Sequence, residues 1–153
     1  GLPERGTVFV SVANRDKRAM IFPVRALAEL GFTLLATSGT ADVLRRNGIK
    51  AEVVRKITER PNGDDGEAGE RTIGDRILAG EIDMVVNTPT GQTARADGYA
   101  IRAAAIAADV TLITTVQELG AAVQGIESMR SAPIRVTSLQ EHARALNLYG
   151  AVR

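Results

Sequence analysis

The strongest constraint in this sequence is its alternation. Short runs rich in β-branched and apolar residues recur along the chain, separated by segments of helical length, several of them closed by a glycine. The runs are too short for helices, and their Val, Ile and Thr suit a pleated surface. Residues 7–12 read as a first strand, 32–36 as a second, 82–86 as a fourth and 110–114 as a fifth. The third, 51–56, alternates less cleanly and is expected nearer a sheet edge. Helices are expected from a cap at Asn14 or Asp16 to Leu30, then over 41–47, 72–79, 94–108 and 116–126, with Gly31, Gly48 and Gly80 as stops. Pro23 lies inside the first of these and should kink it or divide it in two. A short strand over 134–137 and a terminal helix over 138–146 complete the pattern. Strands alternating with helices make a parallel sheet with helices on both faces, so the fold class is α/β with three layers and about five mainly parallel strands. The 153 residues fit one domain, 7–153, preceded by a linker or terminal end over 1–6; the opening Gly1 suggests a piece of a longer polypeptide.

Composition narrows the function classes. Aromatic residues make up 3% of the chain and Trp is absent, so a core of Ala, Val, Ile and Leu is expected. With a net charge of +1, no global field would recruit nucleic acid or a membrane surface. There is no cysteine, which excludes disulfides and thiolate chemistry and fits a reducing, cytoplasmic setting. No apolar run approaches the roughly 18 residues of a membrane span, and no signal peptide is visible.

In an open parallel sheet, ligands bind where strands end, near a reversal of strand order. The residues that follow each predicted strand are therefore the ones to examine. Ser11, Asn14 and Lys17 follow the first, and Thr37, Ser38, Gly39 and Thr40 the second. Lys56 ends the third; Asn87, Thr88, Thr90 and Gly91 follow the fourth; Thr114 and Thr115 follow the fifth. Hydroxyls, glycines, an amide and two lysines gather on one edge. A phosphate needs such donors and positive charge with little bulk in the way, and a helix opening at Thr37 to Thr40 adds backbone N–H groups and a favourable dipole. Small polar residues after strands also serve merely as helix caps; their coincidence on one edge carries the functional reading. Neither a dinucleotide glycine fingerprint nor a P-loop is present, so a monophosphate is expected.

Catalytic candidates are few. His142, the lone histidine, is expected to be structural. Asp16 reads as a cap, Asp75 and Asp83 as element ends, and Asp97 as an acid that can face a ligand. Residues 58–71 hold three glycines and five acids, including Glu67 and Glu70, and read as a mobile, solvated loop that could close over a ligand. No metal site is expected.

Thr37-Ser38-Gly39-Thr40, then Asn47-Gly48-Ile49 and Val54-Arg55-Lys56, resemble the methylglyoxal synthase-like, Rossmann-like fold. Val10-Ser11-Val12 with Asp16-Lys17, Val86 to Gly91, Ile101-Arg102, Thr114-Thr115 and the tail Val136 to His142 are similar to one branch of it, the C-terminal allosteric domain of carbamoyl phosphate synthetase large subunits. That resemblance implies UMP as inhibitor and, in some bacterial members, IMP as activator. Ser11, Lys17, Thr37, Ser38, Gly39, Thr40, Lys56, Asn87, Thr88 and Thr90 would surround phosphate and ribose, with Ile57, Asp97 and Ile101 near the base. Thr114 would lie by an ornithine-linked contact at a domain interface. The implied partners are the synthetase domains of the same chain and, through them, a small glutamine amidotransferase subunit. The parent would be an ATP-dependent ligase using Mg or Mn. It would make carbamoyl phosphate from bicarbonate and glutamine-derived ammonia for pyrimidine and arginine biosynthesis. The domain itself would hold no cofactor beyond its effector and catalyse nothing. Gln92 and Thr93 stand where a basic pair often follows the glycine, which puts effector choice in play. The alternative is a methylglyoxal synthase-type lyase acting on dihydroxyacetone phosphate, with Glu70 near the position of the base.

Overall fold

The computed structural model describes residues 1–54, 71–89 and 95–131 together with Ser138 and Gln140, with backbone alone for 95–97. Five strands form one all-parallel sheet: β1 (Thr7–Ser11), β2 (Thr33–Ala36), β3 (Glu52–Val53), β4 (Met84–Asn87) and β5 (Thr111–Ile113), in the order β3-β2-β1-β4-β5. The chain steps outward from β1 to β3, then returns to the other side of β1 for β4. The order therefore reverses between β1 and β4. This is the α/β, three-layer, Rossmann-like architecture expected from the alternation.

Strand parity sorts the side chains into two layers. Val8 and Val10 of β1, Leu34 and Ala36 of β2, and Met84 and Val86 of β4 point into one core, closed by Val24 and Leu27 of α1 (Ile21–Glu29), Ala41 and Leu44 of α2 (Ser38–Arg46), and Leu119 and Ile126 of α5 (Val116–Ser131). Phe9, Leu35 and Val85 point the other way, against Ile73 and Ile77 of α3 (Ile73–Leu78) and Ile101, Ala104 and Ala105 of α4 (Arg95–Ala107). A strand buried on both faces shows no polar alternation, which is why its signal is a continuous apolar run. The core is not purely small and aliphatic as composition suggested. Phe9, Met20 and Met84 are fully buried within it, because a few large side chains suffice to fill the layers.

Several boundaries differ from expectation. Neither Asn14 nor Asp16 caps a long helix. Asn14–Asp16 is a 3-10 turn, and α1 starts anew after Met20 without a side-chain cap. Pro23 is the reason the segment divides: it sits in the first turn of α1, where its missing N–H has no intrahelical acceptor to lose, and the first full-turn bond runs from Val24 N to Met20 O. α2 begins at Ser38, three residues earlier than expected, because Thr37 in extended conformation is its N-cap. α5 runs on to Ser131, since no breaker follows Ile126 until Pro133. α1 and α2 end as predicted at Gly31 and Gly48, whose φ values of 84° and 73° need glycine. β3 shrinks to two exposed residues at the sheet edge.

Residues 1–6, expected as a linker, lie against the domain. Leu2 packs on the first core, and Arg130 donates to the Glu4 and Leu30 carbonyls with its guanidinium 5.5 Å from the Phe32 ring centroid. The acidic segment 58–70, the tail strand and helix, and His142 lie outside the described residues. No described helix is long and apolar enough to cross a membrane.

Candidate functional site

The reversal of strand order between β1 and β4 opens a crevice at the carboxyl ends of both strands, because β1 leads into α1 on one face and β4 into α4 on the other. Ser11 and Asn87 are register partners at its floor. The residues predicted from sequence converge there. Thr88 Oγ1 accepts the Ala13 N–H at 2.8 Å, and the Thr88 N–H donates to Ser11 O at 3.2 Å. Thr40 Oγ1 accepts the Val12 N–H at 3.3 Å. The Thr37 hydroxyl lies 3.4 Å from Ser11 Oγ and 3.3 Å from Thr40 Oγ1, so its single proton serves one of them at a time. Thr37, Thr40, Asn87 and Thr88 are the only buried polar side chains among the described residues. Buried hydroxyls persist where they are hydrogen-bonded, and these four groups tie the ends of β1, β2 and β4 into one rim.

Above that rim, the first turn of α2 has no side-chain capping bond among the described residues. Thr37 makes none, and the N–H groups of Ser38, Gly39 and Thr40 have no acceptor among the described residues. Lys17 reaches this turn from the β1–α1 connection. A Cβ at Gly39 would stand 3.0 Å from Lys17 Nζ, so the absence of a side chain at Gly39 lets the ammonium lie over the turn. Among the described residues Lys17 has no carboxylate partner. A cation, a helix N-terminus and N–H groups with no acceptor among the described residues thus face one space, a combination suited to an anion.

Of the remaining predicted site residues, two are engaged away from the crevice and the rest lie outside the described residues. Ile101 is 1% exposed and packs in the second core with Phe9 and Val85, so it backs the crevice wall from inside. Thr114, at the end of β5, is engaged locally. Its N–H and hydroxyl donate to Glu118 Oε2 at 2.8 and 3.2 Å, while Thr115 and Glu118 exchange bonds as a capping box for α5. Lys56, Ile57, Thr90 and the side chain of Asp97 lie outside the described residues. Asp75 is an element end as expected, with Thr72 and Asp75 forming the capping box of α3. Asp83 accepts the Thr7 N–H at 2.7 Å. One residue was overlooked as a site group: Arg102, whose Nη1 donates to Asn87 Oδ1 at 2.7 Å. An arginine four residues after Gly98, in a helix otherwise rich in alanine, was the available signal.

The Thr114 backbone N–H is the main cause that holds the Glu118 carboxyl below the ordinary carboxylate range, opposed by partial desolvation. Because the folded value is depressed, the contribution of this cap is complete above the unfolded value near pH 4.3 and is lost as pH falls through the folded value. Glu118→Gln is expected to lower the urea midpoint at neutral pH and to flatten its acid limb; parallel curves for the two proteins would show that the cap does not carry this linkage. Glu81, lowered chiefly by its hydrogen bond with Arg71 and further by Arg76, adds to the acid limb with the same sign in both proteins.

A groove of about 550 Å³ lies between α3 and α4, lined mainly by Leu78, Tyr99 and alanines. None of the predicted site residues lines it, and an apolar wall offers a phosphate nothing.

The family model described as MGS-like domain matches residues 19–114. The carbamoyl phosphate synthase large chain of Beutenbergia cavernae is 61% identical over 145 residues, covering 95% of this chain and 13% of that protein. That of Kineococcus radiotolerans is 60% identical over 152 residues, covering 96% and 13%. The chain thus spans about an eighth of the length of these curated relatives. A crystal structure of ForH superposes with a TM-score of 0.56 at 18% identity, covering 94% of this chain and 90% of that one, a likeness of fold alone.

Proposed function

The chain belongs to the family of MGS-like domains, and from that premise we propose that it is the effector-binding domain of a carbamoyl phosphate synthase large chain, seating the phosphate of a nucleoside monophosphate at the N-terminus of α2. The observation that carries this reading is the first turn of α2, without a side-chain capping bond among the described residues, with Lys17 Nζ over Gly39. UMP is the proposed inhibitor, and IMP a second effector of the same pocket. Lys56 and Thr90 would close the phosphate site, and Ile57 and Asp97 would approach the base. The domain carries no reaction of its own. Its influence on the parent ligase requires unequal UMP affinity in active and inactive states, since equal affinity shifts nothing.

The identity to large chains supports the same reading of the partners: synthetase domains of the same polypeptide, with Thr114 at the end of β5 near an ornithine-linked interface, and the small amidotransferase subunit through them. The parent would join bicarbonate and glutamine-derived ammonia at the expense of ATP, with Mg or Mn, in a cytoplasmic setting.

Calorimetric titration of this chain with UMP, IMP and uridine tests the reading. UMP is expected to saturate, and uridine to bind at least about 100-fold more weakly, since two charge-assisted hydrogen bonds are worth about 3–6 kcal/mol together. Equal binding of UMP and uridine would remove the phosphate seat from the account. Sustained phosphate release from dihydroxyacetone phosphate would replace the effector reading with a lyase.

A further inference from the structure

We infer that Arg102 is a positioning residue of the strand-end site, which fixes the Asn87 carboxamide so that its Nδ2–H, not its Oδ1, faces the ligand. The inference deepens the proposed function and rests on it for the ligand, though not for the geometry.

Asn87 ends β4, the strand beside the central β1, opposite Ser11, and is 5% exposed. A terminal amide in that place has two orientations, one offering donors to the crevice and the other an acceptor. For a phosphate or ribose oxygen the first attracts and the second repels. Arg102 decides between them. A guanidinium has donors and no acceptor, so the atom 2.7 Å from its Nη1 must be the amide oxygen. Nδ2 is thereby turned away from α4 toward β1, where it lies 3.5 Å from Ser11 O. That distance is at the outer limit of a hydrogen bond, so the protein holds the amide nitrogen only weakly and leaves it able to donate.

Two further facts show that this corner is arranged around the guanidinium. A Cβ at Gly98, one turn earlier on α4, would stand 2.9 Å from Arg102 Nη1 and 3.4 Å from Asn87 Oδ1, so a side chain there would occupy the place of the contact. Arg102 is half-buried, yet among the described residues no carboxylate pairs with it. A partly desolvated cation with a neutral partner favours an anion in the neighbouring crevice. Arg102 therefore acts twice on one ligand, through the Asn87 amide directly and through its charge at longer range, and the first effect is the larger because it involves contact.

The test uses this chain with Arg102→Gln, Arg102→Lys, Asn87→Ala and the Asn87→Ala/Arg102→Gln double variant, with UMP as the probe. Arg102→Gln is expected to weaken UMP about tenfold, the loss of one well-placed hydrogen bond. Glutamine can offer either an acceptor or a donor and so no longer dictates the amide. Arg102→Lys, a donor that cannot accept, is expected to keep affinity within about threefold. In the Asn87→Ala background the Arg102→Gln change should add less than about twofold, because the group through which it acts is gone. An equal tenfold cost in both backgrounds would overturn the inference. The ligand-free chain supplies an independent reading: the two Asn87 side-chain N–H resonances should be sharp in the wild type and in Arg102→Lys, and shifted or exchange-broadened in Arg102→Gln. Unaltered resonances in Arg102→Gln would likewise overturn the orientation. A wild-type chain that binds no UMP would defeat the proposed function, while the resonances would still decide the geometry.

Discussion

Phe9→Ala should be among the most destabilising single substitutions in this chain, costing about 3–5 kcal/mol in urea unfolding. Phe9 lies at the middle of β1, the central strand, and is completely buried. Its register partners on the two neighbouring strands, Leu35 and Val85, point to the same face. Ile73, Ile77 and Ile101 close over the three from α3 and α4. Removing the ring would leave a cavity walled on two sides by hydrogen-bonded strands, which cannot collapse into it without breaking the ladder. The helices are then the only walls able to move, and α3, six residues long, is the shortest of them. Against a typical total of about 5–15 kcal/mol, such a loss leaves the domain marginal, with a melting temperature lowered by about 10 °C or more. A cost under about 1.5 kcal/mol would mean that α3 slides in to refill the space, making it the loosest wall of the core.

The same residues explain why the fold was legible. Each strand of the central three is apolar on both faces, so residues such as Val8-Phe9-Val10 and Met84-Val85-Val86 announce themselves without any need for periodicity. The glycine stops were equally plain, since Gly31 and Gly48 occupy a backbone region that other residues avoid. Helix starts were harder. Residues 38 to 40 are poor helix formers by propensity, and only their place after Thr37 in extended conformation makes them a first turn. The candidate site followed from the rule that ligands meet strand ends, which needs only the order of residues along the chain. What that rule omits is whatever reaches the crevice from behind. Arg102 is counted from the middle of a helix, not from a strand end, and its contact with Asn87 depends on how α4 lies across β4. Thr114 shows the converse: its position at a strand end was plain in the sequence, whereas the bonds from its N–H and hydroxyl to Glu118 depend on how α5 starts.

Gly39→Val is expected to abolish the phosphate contribution to UMP binding, weakening it at least about 100-fold and bringing it close to uridine, because it removes two charge-assisted hydrogen bonds worth about 3–6 kcal/mol together. The reason is the shape of one turn. An ideal Cβ on Gly39 already stands 3.0 Å from Lys17 Nζ, so even alanine would push the ammonium aside, and the bulkier, branched valine would displace it further from the turn. Folding should survive. Nothing but the flexible end of Lys17 lies within 4 Å of that Cβ, and Gly39 has no left-handed backbone angle that a side chain would strain. A residue with a side chain in a helix also gives up less chain entropy than glycine, so the melting temperature should hold or rise. Affinity and stability are thus expected to move independently, which separates loss of the seat from loss of the fold. If instead Gly39→Val bound UMP as the wild type does, the phosphate could not lie at the start of α2, and Lys17 would have to act on some other anion.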